Sequence, residues 1–155
     1  MIQRVQTIYL FFAASCSALT FVIPIASFNL RELTETQTLH LNALGIQAND
    51  TLVATSSAWY ITLFVVMAVV MSIISIFSYK NRKNQARKCI SILLANLLAV
   101  IGTGMYSYGV QLDEKISFKF AWGFVLLLAA VIFTFMARRA ILRDEALVRA
   151  ADRLR

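Results

Sequence analysis

Long apolar runs dominate the pattern of hydrophobic and polar positions along the chain. Four of these runs contain no Asp, Glu, Lys, Arg or His, and each is close to the roughly 20 residues that a helix needs to cross a bilayer. They cover residues 8–28, 58–79, 89–108 and 120–137. The pattern predicts an all-α, integral membrane protein, in which a four-helix transmembrane bundle is formed by a single domain over residues 1–155.

Composition supports the same prediction. Hydrophobic residues make up 59% of the 155 residues and charged residues 15%, against about 45–50% and about 25% in soluble domains. A soluble chain of this length could not bury such an excess of apolar side chains, because a small domain leaves much of its surface in water. The chain is also too short for a second folded unit beside four spans.

The basic residues predict which side of the membrane each connection faces. Twelve of the fifteen Lys and Arg lie before the first run, between the second and third runs, or after the fourth. Lys and Arg in short loops resist translocation, so we expect both termini in the cytoplasm. The net charge of +7 has the same cause, and we expect no nucleic-acid partner.

The loop between the second and third runs is the most basic of these connections. It faces the anionic inner leaflet in the predicted topology, where it sets orientation and contacts membrane lipid. Its cations are Lys80, Arg82, Lys83, Arg87 and Lys88.

The first run also has features of a signal peptide. A basic start precedes it, and Ala13-Ala14-Ser15-Cys16 resembles a lipoprotein processing site. The apolar run continues to Phe28, however, which is transmembrane length and favours a span. Cleavage is the alternative and would leave three spans.

Small side chains recur along the third run at four-residue spacing, which places them on one side of a helix. In hydrocarbon, helices associate through close backbone approach and polar contacts. We therefore predict that this stripe packs against another helix, and that Asn96 bonds to Ser72, Ser75 or Thr134. A substrate contact is the alternative role for Asn96. The helix-packing residues are Ser91, Ala95, Asn96, Ala99, Thr103 and Ser107.

Residues 29–57 form an extracytoplasmic loop that is too long for a simple turn. The β-prone segments 34–42 and 51–55 flank a turn-forming stretch, which predicts a small β-hairpin over the outer end of the bundle.

The chain offers few groups for chemistry. His40, the only His, has no Cys or carboxylate at metal-ligand spacing. Cys16 and Cys89 differ in predicted depth, and a reducing cytoplasm disfavours a disulfide between them. We predict no catalytic residue, no cofactor and no metal, and expect that the protein is not an enzyme.

The tail, residues 138–155, has no Gly or Pro, so the last span can continue into the cytoplasm as a helix. Such a helix can lie on the membrane, fold back under the bundle or dock in a partner groove. Its mixture of acids and arginines keeps a protein partner, or a second copy of the chain, among these alternatives. The partner-binding candidates are Arg138, Arg139, Arg143, Asp144, Glu145, Leu147, Val148, Arg149, Asp152 and Arg153.

Both ends of the chain and its inner loop carry a resemblance to a known family. The segments are MIQRVQTIYL at residues 1–10, YKNRKNQ at 79–85, and ARRAI, DE, LVR and DRLR at 137–141, 144–145, 147–149 and 152–155. Together they resemble a family of small four-pass inner-membrane proteins of Bacteroidota that is classed as a domain of unknown function. The resemblance covers essentially the whole chain. It implies an envelope location and four spans, and it supplies no activity.

Three classes of function fit these observations. The first is a non-enzymatic accessory or scaffolding membrane protein that engages a partner through its basic loop and tail helix. The second is a small transporter or channel component, although the runs lack the mid-depth ionisable groups that transport paths usually contain. The third is a membrane enzyme of unknown type.

Overall fold

A computed structural model of the chain describes residues 3–31, 36–48, 51–54, 59–78, 82–111 and 116–153. These residues form four α-helices and five β-strands. The helices are α1 (Gln3–Leu19), α2 (Trp59–Phe77), α3 (Arg82–Gln111) and α4 (Trp122–Arg153). The strands are β1 (Ala26–Arg31), β2 (Thr36–Asn42), β3 (Gly45–Ala48), β4 (Thr51–Ala54) and β5 (Ile116–Phe120).

The predicted helical fold is confirmed. Among the described residues, three helices are long and apolar enough to cross a membrane, through segments Trp59–Phe77, Asn84–Gly109 and Trp122–Val148. The helices form a ring, in which α1 and α3 each pack against both α2 and α4. One end of this ring, the sheet end, carries the strands, and the other, the tail end, carries the start of α1 and the last turns of α4.

The structure corrects the predicted first span, residues 8–28. Helix α1 ends at Leu19, and Thr20 closes it by donating its hydroxyl to the Ser17 carbonyl at 2.7 Å. Pro24 follows, which lacks a backbone N–H and disfavours helical geometry in the residue before it. Residues beyond the proline then find strand partners, so the second part of the apolar run becomes β1.

The sheet extends the predicted hairpin. Its strand order is β4-β3-β2-β1-β5 and every pairing is antiparallel. The two β-prone segments of the outer loop are β2 and β4, and β3 lies between them. Strand β1 is an inner strand, which pairs with β2 on one side and with β5, from the second outer connection, on the other.

The two faces of the sheet differ in polarity, as expected for an antiparallel sheet with one face on a core. Ala26, Phe28 and Leu41 are buried in a cluster with residues of α2, α3 and α4. Ser27 and His40 occupy the alternate positions, are half-buried, and pair directly across the strands. The sheet therefore closes one end of the helical ring with its apolar face.

A second buried cluster lies at the tail end, where α1, α3 and α4 meet. Its members are Leu10, Ala86, Cys89, Ile92, Ala137 and Ile141. Both cysteines of the chain are free thiols. The two clusters hold opposite ends of the helices, which leaves the polar interior described next between them.

Candidate functional site

The interior between the helices contains an amide that is fully enclosed. Asn96 of α3 is 0% exposed. Its Oδ1 accepts a hydrogen bond from Ser17 Oγ of α1 at 2.9 Å, and its Nδ2 donates to the Ile92 carbonyl at 3.2 Å. Because a buried polar group is costly when unpaired, these two bonds explain how an amide persists among apolar side chains.

The side chain that bonds to Asn96 is Ser17 and none of the three predicted candidates, Ser72, Ser75 and Thr134. Ser72 and Thr134 donate their hydroxyls to carbonyls of their own helices, Ala68 and Ala130, each at 2.7 Å. A Ser or Thr in a helix commonly satisfies itself this way, which removes it as a donor to another helix. Ser17 was missed because nothing in the spacing of α1 shows which of its small residues faces α3.

The predicted packing stripe of α3 is mostly internal. Ala95, Ala99, Thr103 and Ser107 are buried, whereas Ser91 is exposed. The hydroxyls of Thr103 and Ser107 donate to the carbonyls four residues earlier, both at 2.8 Å. These side chains therefore act as small packing groups, because their hydroxyls are already hydrogen-bonded within α3.

A second polar contact lies at the tail end, between α1 and α4. Gln6 and Asp144 are 3% and 6% exposed, and Gln6 Nε2 donates to Asp144 Oδ2. The same amide nitrogen lies 3.4 Å from the Ala140 carbonyl. The start of the predicted tail helix is thereby attached to α1, and Asp144 is largely buried in this contact.

Gln85 makes the corresponding contact between the other two helices. It is 3% exposed, and its Nε2 donates to the Ser75 carbonyl at 3.2 Å, which ties the start of α3 to the end of α2. Neither Gln6 nor Gln85 was singled out from the sequence. The sequence did contain a signal of their burial. Each glutamine lies next to an apolar run, at helical spacing from positions of that run that are buried.

The other partner-binding candidates have varied surroundings. Arg139, Arg143, Leu147 and Val148 are exposed, Glu145 is half-buried, and Arg138 is half-buried with an enclosed Nε that has no hydrogen-bond partner among the described residues. Arg149, Asp152 and Arg153 lie on the helical backbone, and their side chains are outside the described part of the chain.

The basic loop is described only in part. Lys80 and the side chains of Arg82 and Lys83 lie outside the described residues. Arg87 is exposed and donates to Asn84 Oδ1, and Lys88 is half-buried.

An open groove of about 500 Å³ runs between α1 and α4 at the tail end. Apolar side chains, including Tyr9, Met136 and Leu147, line most of it, and Arg139 and Arg143 add two cationic groups.

The sheet end offers one hydrogen-bonded pair of chemical interest. Ser27 Oγ and His40 Nδ1 lie 3.1 Å apart on the polar face of the sheet. Within the described ranges, no three His, Cys, Asp or Glu side chains converge in a way that could hold a metal ion. The pair stabilises adjacent strands in the manner of other cross-strand contacts.

The outer surface of the helices carries many large apolar groups, whereas the inside holds polar groups as well as apolar ones. On α2, the buried residues are Ile61, Val65, Ala68, Ser72 and Ser75. The large apolar side chains Leu63, Met67, Val70, Ile73 and Ile74 are 44–48% exposed on the same helix. Exposing these side chains to water would cost free energy, whereas lipid tails are as apolar as the side chains themselves. The fold and its interior therefore define a membrane protein.

Comparison with known proteins places the chain more narrowly. Residues 2–154 match the family described as Domain of unknown function (DUF4293), and the chain belongs to that family. No curated protein matches the sequence.

Proposed function

We propose that the protein is a non-enzymatic accessory or scaffolding component of a bacterial inner membrane, which binds a protein partner through the end of α4. Both termini face the cytoplasm in this proposal, and α1 is the fourth crossing. The excess of Lys and Arg at the tail end supports this orientation. Large outward apolar residues on α1, including Ile8 and Phe11 at 50% and 61% exposure, support contact of that helix with lipid.

The observation that carries the proposal is a buried stripe of α4 that becomes exposed toward the end of the helix. Ala137, Ile141, Asp144 and Val148 follow one another at spacings of four, three and four residues, which places them on one side of a helix. The first two are 0% exposed and Asp144 is 6% exposed, but Val148 is 44% exposed. The face that packs against other helices along the ring is thus left uncovered at its last described position.

The helix that presents this face is held firmly. The Gln6 contact with Asp144 lies one turn before Val148, so the uncovered face has a defined direction relative to the membrane. A preorganised helix loses less entropy on binding than a disordered tail would, which favours docking into a partner groove.

The interior polar groups favour a packing role over a conduit. Asn96 uses both ends of its amide inside the ring, and the hydroxyls of Thr103, Ser107 and Thr134 are bonded to their own helices. A transport path needs groups that can exchange such bonds for a solute.

The proposal is tested by photo-crosslinking from the uncovered face. A photoreactive amino acid at Val148 should crosslink in cells to one protein, which is either a distinct partner or a second copy. The matched control is Leu142, a 41% exposed apolar residue on the same segment that lies off the buried stripe. Val148→Asp should release the partner during purification in mild detergent, and Leu142→Asp should retain it. Equal crosslinking from both positions, or none from either, would contradict the proposal.

A further inference from the structure

The groove between α1 and α4 has a chemical polarity that the docking of a protein partner does not explain. Its lining combines apolar side chains, such as Tyr9 and Met136, with the cationic side chains of Arg139 and Arg143, which lie further along α4 than Met136. Both arginines are exposed. They stand four residues apart, which makes them neighbours on one face of α4, where like charges repel unless an anion lies between them.

The position of the groove along α4 matches the edge of a bilayer. A helix rises 1.5 Å per residue, so Arg139 lies roughly 25 Å, and Arg143 roughly 31 Å, along the axis from Trp122. Hydrocarbon is about 30 Å thick, and Trp favours the membrane interface. With Trp122 at one interface, the two arginines lie at the other, and Met136 lies within the hydrocarbon. The groove therefore crosses from acyl chains to headgroups.

We propose that this groove binds one anionic phospholipid. The headgroup phosphate lies between the guanidinium groups of Arg139 and Arg143, and an acyl chain lies along Tyr9 and Met136. Guanidinium is suited to this role because its planar set of N–H donors matches phosphate oxygens two at a time. The Asp144 carboxylate also borders the groove, but it is buried and accepts a hydrogen bond from Gln6.

A lipid fits this groove better than a protein segment does. The groove is open and Met136 lies within the hydrocarbon, so acyl chains can reach the groove laterally and at high concentration. In the proposed orientation the tail end faces the anionic inner leaflet, where each cation near the surface attracts lipid headgroups. The inference does not depend on the partner proposed for Val148, which does not line this groove.

The test uses the full chain purified in a mild detergent and mixed with equal amounts of phosphatidylglycerol and phosphatidylcholine. Native mass spectrometry counts the lipid molecules that remain bound. We expect one retained phosphatidylglycerol, preferred over phosphatidylcholine by about thirtyfold, as two near-surface cations at about 1 kcal/mol each would provide. Arg139→Gln with Arg143→Gln should remove this preference.

Two further variants separate a built site from general attraction. Arg87→Gln with Lys88→Gln removes the same charge from α3 at the same end of the molecule and should keep the preference. Ala140→Phe keeps both arginines but fills the groove, which Ala140 borders, and should lower lipid retention. A melting temperature for each variant shows whether it has folded.

Several results would overturn the proposal. These are equal retention of the two lipids by the natural sequence, equal loss in the two double variants, an unchanged preference in Arg139→Gln with Arg143→Gln, or full retention by folded Ala140→Phe. If Ala140→Phe does not fold, the comparison of the two double variants decides whether the groove binds the lipid. Arg139 and Arg143 are exposed and contribute little to the core, so their replacement should leave the protein folded.

Discussion

Ser17 and Asn96 join two helices that lie across the ring from each other, through a hydrogen bond of 2.9 Å between Ser17 Oγ and Asn96 Oδ1. Both residues are buried, at 1% and 0% exposure. Their helices, α1 and α3, otherwise pack mainly against α2 and α4. This bond therefore connects helices that share little packing of their own.

A double-mutant cycle measures the strength of that connection. We expect Ser17→Ala and Asn96→Leu to be coupled by ~0.6 kcal/mol, and by at most ~1.7 kcal/mol, in the free energy of unfolding in mixed detergent micelles. Ser91→Ala, on the exposed side of α3, should change stability by less than about 0.5 kcal/mol. Strict additivity of the first two substitutions would show that the bond adds nothing.

Gly123 provides a second test because α4 begins against the proline turn. Gly123 N–H donates to the Pro24 carbonyl at 2.9 Å, and an added Cβ would lie 2.6 Å from that oxygen and 2.8 Å from the Ile23 carbonyl. Both neighbours are backbone atoms, so Gly123→Ala should lower the free energy of unfolding by about 1–3 kcal/mol.

Gly104→Ala is the matched control for that substitution. A Cβ at Gly104 of α3 meets nothing within 4 Å. Alanine should be neutral there or stabilise by up to about 1 kcal/mol, because glycine is a poor helix former. A similar loss at both glycines would mean that close approach to the turn is not the cause.

The contact between Gln6 and Asp144 should contribute to stability at the tail end. Gln6→Leu removes the donor from a buried carboxylate, which should cost about 1–3 kcal/mol of unfolding free energy. Asp144→Asn keeps an acceptor oxygen in the same place and should cost less. Thermal or detergent unfolding gives both values, and a larger loss for Asp144→Asn would contradict the role assigned to Gln6.

Accessibility labelling tests the proposed orientation. In a background of Cys16→Ala and Cys89→Ala, a cysteine replacing the exposed Lys119 should react with a membrane-impermeant maleimide on intact spheroplasts. A cysteine replacing the exposed Ala146 should react only after the membrane is opened. Labelling of both positions on intact spheroplasts would place the ends of α4 on the same side and contradict the topology.

Helix existence was predictable here because of how the bilayer treats backbone groups. A charge-free run in hydrocarbon must satisfy every N–H and C=O within itself, so an α-helix was the expected form of each run, and α2, α3 and α4 have it. The same runs could not show which side of α3 faces inward at every position. Ala95 and Ala99 are buried, but Ser91, on the same stripe, is exposed.

The sequence by itself determined the membrane character and the helices, since both depend on the polarity of contiguous residues. Only the tertiary structure decided that helix α1 ends at Leu19, within the first run, because the partners of β1 come from residues 36–42 and 116–120. It also decided that Asn96 bonds to Ser17 and Asp144 to Gln6. These pairs lie 79 and 138 residues apart in the chain, and no local pattern records which distant side chain will complete a buried hydrogen bond.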